Sequence, residues 1–283
     1  MNALEIKMSE KERIEISSFI ESEFGIKMPA VKKILLTSRL SKRLAARGFK
    51  SYGEYFQYIR SGRGMDEEFF IFADLVSTHE TSFFREAQHF EYLYSEALPE
   101  LAGSHGAGVR RELRVLSAAC STGEEAYTIA ITIEEFRRMK NYSSFLYRVT
   151  GTDISTKVVS AAARAVYSES RIGRLPHEYR RRYFLKGKNG KSELVRVVPQ
   201  LRAAAEFFPM NLMSHDYPFT EKFDIIFCRN AMIYFDRSNQ EKIMRRLTGH
   251  LLKSGYLFIG HSETLSGYDL PLKCLEPTIF RRV

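Results

Sequence analysis

The sequence predicts an α/β domain with a mostly parallel sheet, preceded by a small all-helical domain. Up to about residue 95, apolar residues recur at three- and four-residue spacing, which is typical of amphipathic helices. After residue 113, short β-branched runs alternate with helical segments, as in parallel sheets with crossover helices. Between residues 182 and 198 an Asn189-Gly190 pair separates two apolar or alternating runs, which favours the tight turn of a β-hairpin.

The N-terminal segment predicts several helices that end at Gly or Pro residues. Their expected bounds are 10–24, 31–47, 52–60, 66–78 and 84–98. Pro99 and the Gly-rich stretch 103–108 then indicate a linker. We therefore expect a helical domain over 1–95, a linker over 96–112 and a second domain over 113–283.

The second domain predicts strands and helices in alternation. The strands are expected at 114–119, 147–152, 205–209, 223–228 and 255–260. The helices are expected at 124–140, 156–167 and 238–252. The hairpin around Asn189-Gly190 interrupts this series, so it predicts a small β-insertion at about 180–200.

Composition indicates a globular protein of a reducing compartment. The 283 residues are 44% hydrophobic and 27% charged, which leaves little room for disorder. The apolar runs fall far short of the roughly 18 residues of a membrane span, and the acidic N-terminus is unlike a signal peptide. Three scattered cysteines argue against a disulfide framework, and neither they nor the histidines have metal-ligand spacing. We expect a cytoplasmic monomer that does not insert into membranes and holds no metal.

Basic residues are concentrated in two segments of the chain. The formal net charge is +9, from 43 basic and 34 acidic residues. Residues 27–63 contain ten Lys or Arg and one acid, and residues 164–202 contain eleven against three. Such segments attract nucleic acid, anionic membranes or acidic proteins, although a single cation is usually only solvated. At about 100° per residue Lys32, Arg39 and Arg43 share one helix face, which predicts a basic stripe.

A turn of small residues follows the first predicted strand. Residues 117–123 read Ser-Ala-Ala-Cys-Ser-Thr-Gly and lead into a helix that begins with Glu124 and Glu125. Small side chains let a ligand approach the backbone, and the free N–H groups of a helix start favour a polar ligand group. With a single Gly the nucleotide-binding signal is weak, and Thr122 with Glu125 also fits a capping box in which Glu125 only caps the helix.

The second predicted strand ends in an acid, Asp153. An acid at this place holds ribose hydroxyls in doubly wound folds. No Lys in the first turn would meet a phosphate, so a phosphate-free adenosine ligand is favoured over NAD or ATP. S-adenosylmethionine fits that description.

Five blocks of the sequence resemble one family. They are 81–86 (TSFFRE), 121–125 (STGEE), 152–154 (TDI), 211–212 (NL) and 223–235 (FDIIFCRNAMIYF). In this order, over nearly the whole chain, they resemble the CheR-type chemotaxis receptor methyltransferases, which methylate glutamate side chains. The resemblance implies a Rossmann-like class I methyltransferase sheet of seven strands, an N-terminal all-helical domain and a small inserted antiparallel β-subdomain. It also implies S-adenosyl-L-methionine as cofactor and S-adenosyl-L-homocysteine as product.

The resemblance implies the site residues as well. Arg85 and Tyr234 are expected to be catalytic by positioning the acceptor carboxylate, although Arg85 would also suit a surface pair with Glu86 or Glu91. The expected cofactor-binding residues are His79, Thr81, Arg85, Glu125, Asp153, Asn211, Leu212, Arg229 and Asn230. The family commonly has Asn where this chain has His79, which leaves a contact from that position open. Helix geometry lets only one of Glu124 and Glu125 face the ligand, and Glu125 is preferred.

The resemblance gives the basic stripe a partner. In the family the substrate is an acidic helical segment in the cytoplasmic part of a methyl-accepting chemotaxis receptor. The residues expected to bind this segment are Lys32, Arg39, Lys42, Arg43 and Arg47. The inserted hairpin is the family's docking site for a tether peptide at the receptor's end, which would add a strand there.

Two other functions stay open on the sequence. A nucleic-acid methyltransferase would use the basic segments to contact phosphates. The chain has no Trp, no aromatic stripe lies among the basic residues, and residues 229–232 (RNAM) stand where a base-amine methyltransferase would have an Asn-Pro-Pro-Tyr type motif. The third function is a non-catalytic cofactor-binding adaptor. Four residues expected at a catalytic site are intact and argue against it, namely Arg85, Asp153, Asn230 and Tyr234. We therefore expect no nucleic-acid partner.

Overall fold

Four helices form the N-terminal part of the computed structural model, which describes residues 6–28, 33–188, 190 and 192–283. They are α1 (Glu10–Phe24), α2 (Lys33–Arg47), α3 (Tyr52–Arg60) and α4 (Gly62–Val76). The predicted bounds of α1 and α3 are confirmed. Helix α4 begins at Gly62 rather than at 66, because the Ser61 hydroxyl caps it by accepting the N–H of Gly64 at 3.1 Å.

Apolar side chains from the four helices pack into one core. Ile20, Leu40, Tyr55 and Phe72 are each fully buried in it. Burying a side chain of this size stabilises a fold by about 1.5 to 3 kcal/mol. The three- and four-residue spacing seen in the sequence is therefore the spacing of core positions.

The segment predicted as a linker is mostly helical. After α4 the chain forms α5 (Ala87–Tyr92), a π-helical turn (Leu93–Ala97) and α6 (Leu98–His105). Leu98 and Leu101 are buried in the core beneath the sheet. Pro99 stands in the first turn of α6, where its missing N–H breaks no helix bond. The structure thus differs from the expected linker over 96–112, and a boundary at 95 would divide one packed helical segment.

The described residues contain ten strands, which form two sheets. In chain order they are β1 (Leu113–Ala118), β2 (Tyr147–Asp153), β3 (Val166–Ser168), β4 (Phe184–Lys186), β5 (Leu194–Val197), β6 (Ala205–Pro209), β7 (Phe223–Cys228), β8 (Leu251–Ile259), β9 (Leu272–Glu276) and β10 (Ile279–Arg282). Seven of them form the main sheet in the order β6-β2-β1-β7-β8-β10-β9. Strand β10 is antiparallel to both neighbours, and the other described pairs of this sheet are parallel. The predicted fold class is confirmed, although β9 and β10 were not among the predicted strands.

In the part of the chain that the structure describes, five α-helices accompany the strands. They are α7 (Glu124–Met139), α8 (Thr156–Arg164), α9 (His177–Tyr183), α10 (Pro199–Ala203) and α11 (Arg237–Gly249). Helix α8 ends three residues before the predicted 167, because Ala165 adopts a left-handed conformation and β3 follows. No helix in the described part of the chain has the length and apolar character needed to cross a membrane.

The inserted β-subdomain is confirmed and is larger than expected. Its antiparallel order is β3-β5-β4, so it begins at Val166 rather than at about 180. Strands β4 and β5 form the predicted hairpin. Two tip residues, Asn189 and Lys191, lie outside the described residues.

Candidate active site

A cavity of about 330 Å³ lies at the carboxyl ends of β1, β2 and β7. Residues 119–121, 153–154 and 229–230 line it, and each of these groups stands at or directly after the end of a strand. The strand order reverses between β1 and β7, and ligands of open α/β sheets bind at such a point. The volume lies within the usual range of ligand pockets.

The predicted site residues meet in this cavity. Its lining includes His79, Thr81, Arg85, Glu125, Asp153, Asn211, Leu212, Arg229, Asn230 and Tyr234. These residues come from five separate parts of the chain, so their convergence is a property of the fold and not of any local motif.

The turn after β1 has an unusual backbone. Ala119, Ser121 and Gly123 have φ angles of 60°, 50° and 92°. Residues with a side chain rarely adopt a positive φ angle, and those that do are held there by the surrounding structure. At Gly123 a Cβ atom would lie 2.8 Å from the Cβ of Ala162, so glycine permits the close approach of α7 and α8. The result is a turn whose main chain is exposed to the cavity.

Asp153 ties this turn to the end of β2. One carboxylate oxygen accepts the N–H of Ser121 at 2.9 Å, and the other accepts the N–H of Ser155 at 3.1 Å. The side chain is buried, and burial raises the pKa of Asp153 although these bonds favour the charged form. Asp153 is therefore a fixed acceptor at the cavity wall.

Glu125 faces the cavity and Glu124 does not. Glu125 accepts the Ser117 hydroxyl at 2.7 Å and an Arg229 N–H at 3.0 Å. The capping box is wrong, because the residue that precedes α7 is Gly123, which offers no side chain. Burial raises the pKa of Glu125, while the nearby Arg229 opposes this shift. The preference for Glu125 over Glu124 agrees with this geometry.

Arg229 lies in a buried network that sequence reasoning missed. Its Nη2 donates to Glu86 Oε2 at 2.8 Å and to the carbonyl of Arg85 at 2.5 Å. The other Glu86 oxygen accepts the side-chain amide of Asn230 at 3.0 Å. Burial would raise the pKa of Glu86, but the hydrogen bonds from Arg229 and Asn230 outweigh it and lower that pKa. Glu86 therefore stays charged and orients two cavity residues.

A second missed acid, Glu263, shapes the loop after β7. Its carboxylate accepts the backbone N–H groups of Gly260 at 2.5 Å, Met232 at 2.7 Å and Asn230 at 3.1 Å. Asn230 has a φ of 57°, which an unsupported loop would not maintain. No local signal marks Glu263 as part of the site, since Met232 and Asn230 lie 31 and 33 residues earlier in the chain.

Arg85 and Tyr234 face the same cavity from different elements. Arg85 follows α4 and donates to the carbonyl of Glu80 at 2.9 Å, while Glu86, its suggested surface partner, binds Arg229 instead. Tyr234 ends a 3₁₀ turn, and its carbonyl accepts the N–H of Lys27 at 3.1 Å. Both side chains are half-buried, which leaves them accessible to a ligand.

His79 and Asn211 have partners inside the protein. The His79 Nε2 lies 3.4 Å from Asp74 Oδ1, and Asp74 also accepts the hydroxyl of Ser155. The Asn211 amide donates to the carbonyl of Glu23 at 2.8 Å and accepts the N–H of Met213 at 2.9 Å. The amide of Asn211 therefore helps to join α1 to the sheet domain.

The N-terminal domain contributes a wall of the cavity, which the sequence did not predict. Phe24, Ile26 and Met28 line it. Gly25, with a φ of 67°, brings this segment against Phe235, whose ring carbon would lie 2.3 Å from a Cβ atom at that position. Gly25 was interpreted only as a helix end, but it also permits this close approach.

The basic stripe needs correction. Arg43 forms two bonds to the buried Glu68, at 2.8 and 2.5 Å, and Arg39 donates to the carbonyls of Leu75 and Ser77. Arg47 pairs with Glu67 at 3.0 Å and with Glu68 at 3.3 Å. These three arginines hold α2 against α3 and α4. The acidic partners of Arg43 and Arg47, Glu67 and Glu68, lie outside residues 27–63 in the sequence, but the fold brings them into contact with α2. Lys42 is exposed, and Lys32 lies outside the described residues.

Family models match most of the chain. Residues 12–77 match the model described as "CheR methyltransferase, all-alpha domain". Residues 79–280 match the model described as "CheR methyltransferase, SAM binding domain". The two matches meet near the end of α4, earlier than the expected boundary at 95.

Curated proteins match over nearly the full length. A chemotaxis protein methyltransferase of Borreliella burgdorferi is 35% identical over 279 residues, which cover 99% of this chain and 96% of that protein. A protein of the same name from Salmonella typhimurium is 38% identical, covering 89% of this chain and 83% of that protein. One from Escherichia coli is 34% identical, covering 94% of this chain and 88% of that protein.

Proposed function

The chain belongs to the CheR methyltransferase family and uses S-adenosylmethionine, and we propose that it methylates glutamate carboxylates of chemotaxis receptors. The products are glutamyl methyl esters and S-adenosylhomocysteine, which makes the chain a protein-glutamate O-methyltransferase acting in chemotaxis. The observation that carries the proposal is one cavity in which Arg85 and Tyr234 lie among the proposed cofactor residues.

The cavity lining suits a phosphate-free, cationic ligand. The acids Glu80, Glu125 and Asp153 line it, and no Lys of the described chain does. The charge of Arg229 is already neutralised by Glu86 and Glu125. Of the two arginines in the lining, only Arg85 remains for an anionic group, so a sulfonium ligand meets no excess positive charge there.

Two groups have capacity left for the cofactor. Asp153 accepts one backbone N–H on each oxygen, and a carboxylate oxygen has lone pairs for further donors such as ribose hydroxyls. The Nε of Arg229 is buried without a hydrogen-bond partner among the described residues. A bound acceptor would satisfy this orphan donor, so the residues present fit the cofactor.

The reaction places modest demands on the protein. When bound, S-adenosylmethionine supplies a methyl group on a positively charged sulfur. A glutamate acceptor has a reference pKa of about 4.3, so it is ionised at neutral pH and needs no general base. The residues of the chain must therefore align the two reactants, which is mainly proximity and orientation. Arg85 and Tyr234 would position the carboxylate through a charged and a neutral hydrogen-bond donor.

Recognition of the receptor is proposed to use the exposed cations of residues 27–63. The segment carries a large positive excess, which complements an acidic helix. Because Arg39, Arg43 and Arg47 pair within the helical domain, the main contribution must come from cations such as Lys42, which has no ion pair in the described chain. The helical domain would thus serve substrate recognition beside the cavity wall that it forms.

The β-subdomain is proposed to dock a receptor tether peptide. Its outer strands β3 and β4 have one unpaired edge each, where an extended peptide can add a strand. Val166 on β3 and Leu185 on β4 are exposed apolar side chains, 42% and 51% accessible. Such side chains at an open edge favour a peptide with apolar anchors.

The experiment that tests the function uses methyl-labelled S-adenosylmethionine and a receptor cytoplasmic fragment. We expect label in the fragment that mild alkali releases, because methyl esters hydrolyse under these conditions and methylated amines do not. A fragment whose target Glu residues are replaced by Ala is the matched control and should accept no label. Alkali-stable label, or preferred labelling of added RNA or duplex DNA, would instead support the nucleic-acid methyltransferase.

A further inference from the structure

Glu86, His89 and His261 bring three potential metal ligands together outside the cofactor cavity. One ligand atom of each lies within 4.8 Å of the others. His89 Nδ1 is 3.5 Å from Glu86 Oε2, and His261 Nε2 is 3.9 Å from the same oxygen. In a tetrahedral zinc site with bonds of about 2.1 Å the ligand atoms are about 3.4 Å apart. Small side-chain shifts would therefore complete a site.

The hydrogen bonds of His89 determine which ring nitrogen carries the proton. The Thr278 hydroxyl donates to the carbonyl of Pro277 at 2.5 Å, so its oxygen accepts from His89 Nε2 at 2.8 Å. The proton of the neutral ring is then on Nε2, and Nδ1 carries a lone pair. Histidines that bind metals commonly donate their second N–H in this way.

The lone pair on His89 Nδ1 accepts no hydrogen bond from the described residues. Nδ1 is buried with no hydrogen-bond partner among the described residues, and the ring is 1% exposed. It faces the Glu86 carboxylate, which is also an acceptor. The Glu86 oxygens already accept from Arg229 and Asn230, so the lone pair of His89 Nδ1 is the group that a cation between the two side chains would satisfy.

An acidic groove leads to this cluster. The groove has a volume of about 800 Å³ and is lined by His89, His261 and the exposed acids Glu91, Glu96 and Glu276, with no Lys or Arg of the described chain. It offers a path for a cation and room for water as a fourth ligand. Arg229 lies behind Glu86 and opposes a second positive charge, so the affinity should be moderate.

We propose that Glu86, His89 and His261 form a binding site for a divalent first-row metal ion, with Zn²⁺ as the best match. Two imidazole nitrogens and one carboxylate are ligands that zinc accepts, and the open fourth position suits water. This site was not predicted from the sequence, because His89 on α5 and His261 in the loop after β8 are far apart in the chain.

The test is calorimetric titration of the whole chain with Zn²⁺, in a buffer that does not chelate the metal. The chain carries Cys274→Ser, which removes the exposed thiol among its three cysteines. We expect one bound equivalent, and His261→Ala should weaken binding at least about tenfold through loss of a ligand. His215→Ala is the matched control, since His215 is 94% exposed beside Asp216, and it should bind like the parent.

A second variant keeps all three ligands and tests the tautomer. Thr278→Val replaces the hydroxyl with a methyl group of similar shape, and it should weaken Zn²⁺ binding by about 10- to 100-fold with an unchanged circular dichroism spectrum. Binding of Co²⁺ should give the intense visible absorption of a four-coordinate site. The proposal is overturned if the parent binds no Zn²⁺ at about 100 μM. It is equally overturned if His261→Ala binds as tightly as the parent.

Discussion

Replacing Asp153 with Asn should weaken cofactor binding without unfolding the protein. The amide keeps the volume of the side chain and one acceptor oxygen, so it retains one of the two backbone N–H bonds, from Ser121 or from Ser155, and loses the other. A hydrogen bond to a charged acceptor contributes about 1.5 to 3 kcal/mol and one to a neutral acceptor about 1 kcal/mol. With two ribose hydroxyls, the expected loss is about 1 to 4 kcal/mol, or about 5- to 900-fold in affinity.

Calorimetric titration with S-adenosylhomocysteine measures this loss directly. Asp216→Asn is the matched control, because the same chemical change falls on a side chain that is 94% exposed. Urea unfolding of both variants separates a binding effect from a folding effect. A folded Asp153→Asn variant that binds within about threefold of the parent would refute the assignment of Asp153 to the ribose.

Three further predictions concern the acceptor site and the helical domain. Tyr234→Phe should lower turnover while S-adenosylhomocysteine affinity stays unchanged, whereas Arg85→Ala should reduce both; steady-state kinetics with titration distinguishes them. Arg43→Glu should lower the free energy of unfolding by about 3 kcal/mol, because it leaves the buried Glu68 unpaired beside a like charge. Lys42→Glu, on the exposed side of α2, should change it by no more than about 0.5 kcal/mol in the same urea titration. Burial would raise the pKa of Glu68, but hydrogen bonds from Arg43 and Tyr55 outweigh it and lower that pKa. The ionised Glu68 therefore stabilises the fold fully above the unfolded pKa of about 4.3, and this stabilisation is lost as pH falls through the lower folded pKa. Glu68→Gln should consequently flatten the dependence of the free energy of unfolding on pH below about pH 4.5.

The sequence predicted the parts of the site that depend on local pattern. Asp153 and the turn over 119–123 are recognisable because each directly follows a strand, and parallel strands deliver their ends to one edge of a sheet. Residues further along the chain, such as Arg229 and Tyr234, were accessible only through the resemblance to a family. Their roles in this chain remain predictions that the variants above test.

Contacts between distant segments were not predictable. Glu86 holds Asn230, and Glu263 holds the loop around it, across more than a hundred residues in the first case and about thirty in the second. The apolar wall from Phe24 and Met28 requires the N-terminal domain to pack over the sheet, and no local periodicity encodes that arrangement. The positive charge of residues 27–63 predicted a free basic stripe for a similar reason. The acids that pair with Arg43 and Arg47 lie on a different helix, outside that segment.

Arg43 and Arg229 both bind buried or partly buried glutamates, but they differ in whether their hydrogen bonds are complete. Arg43 forms both of its short bonds with one carboxylate, that of Glu68, so the pair is complete within the helical domain. Arg229 meets two carboxylates from different elements, and its Nε is still without a partner in the described structure. An incompletely satisfied buried charge costs more than a complete pair. In the proposed function a bound cofactor would remove that cost at Arg229, and we therefore propose a ligand-binding role for Arg229 and a structural role for Arg43.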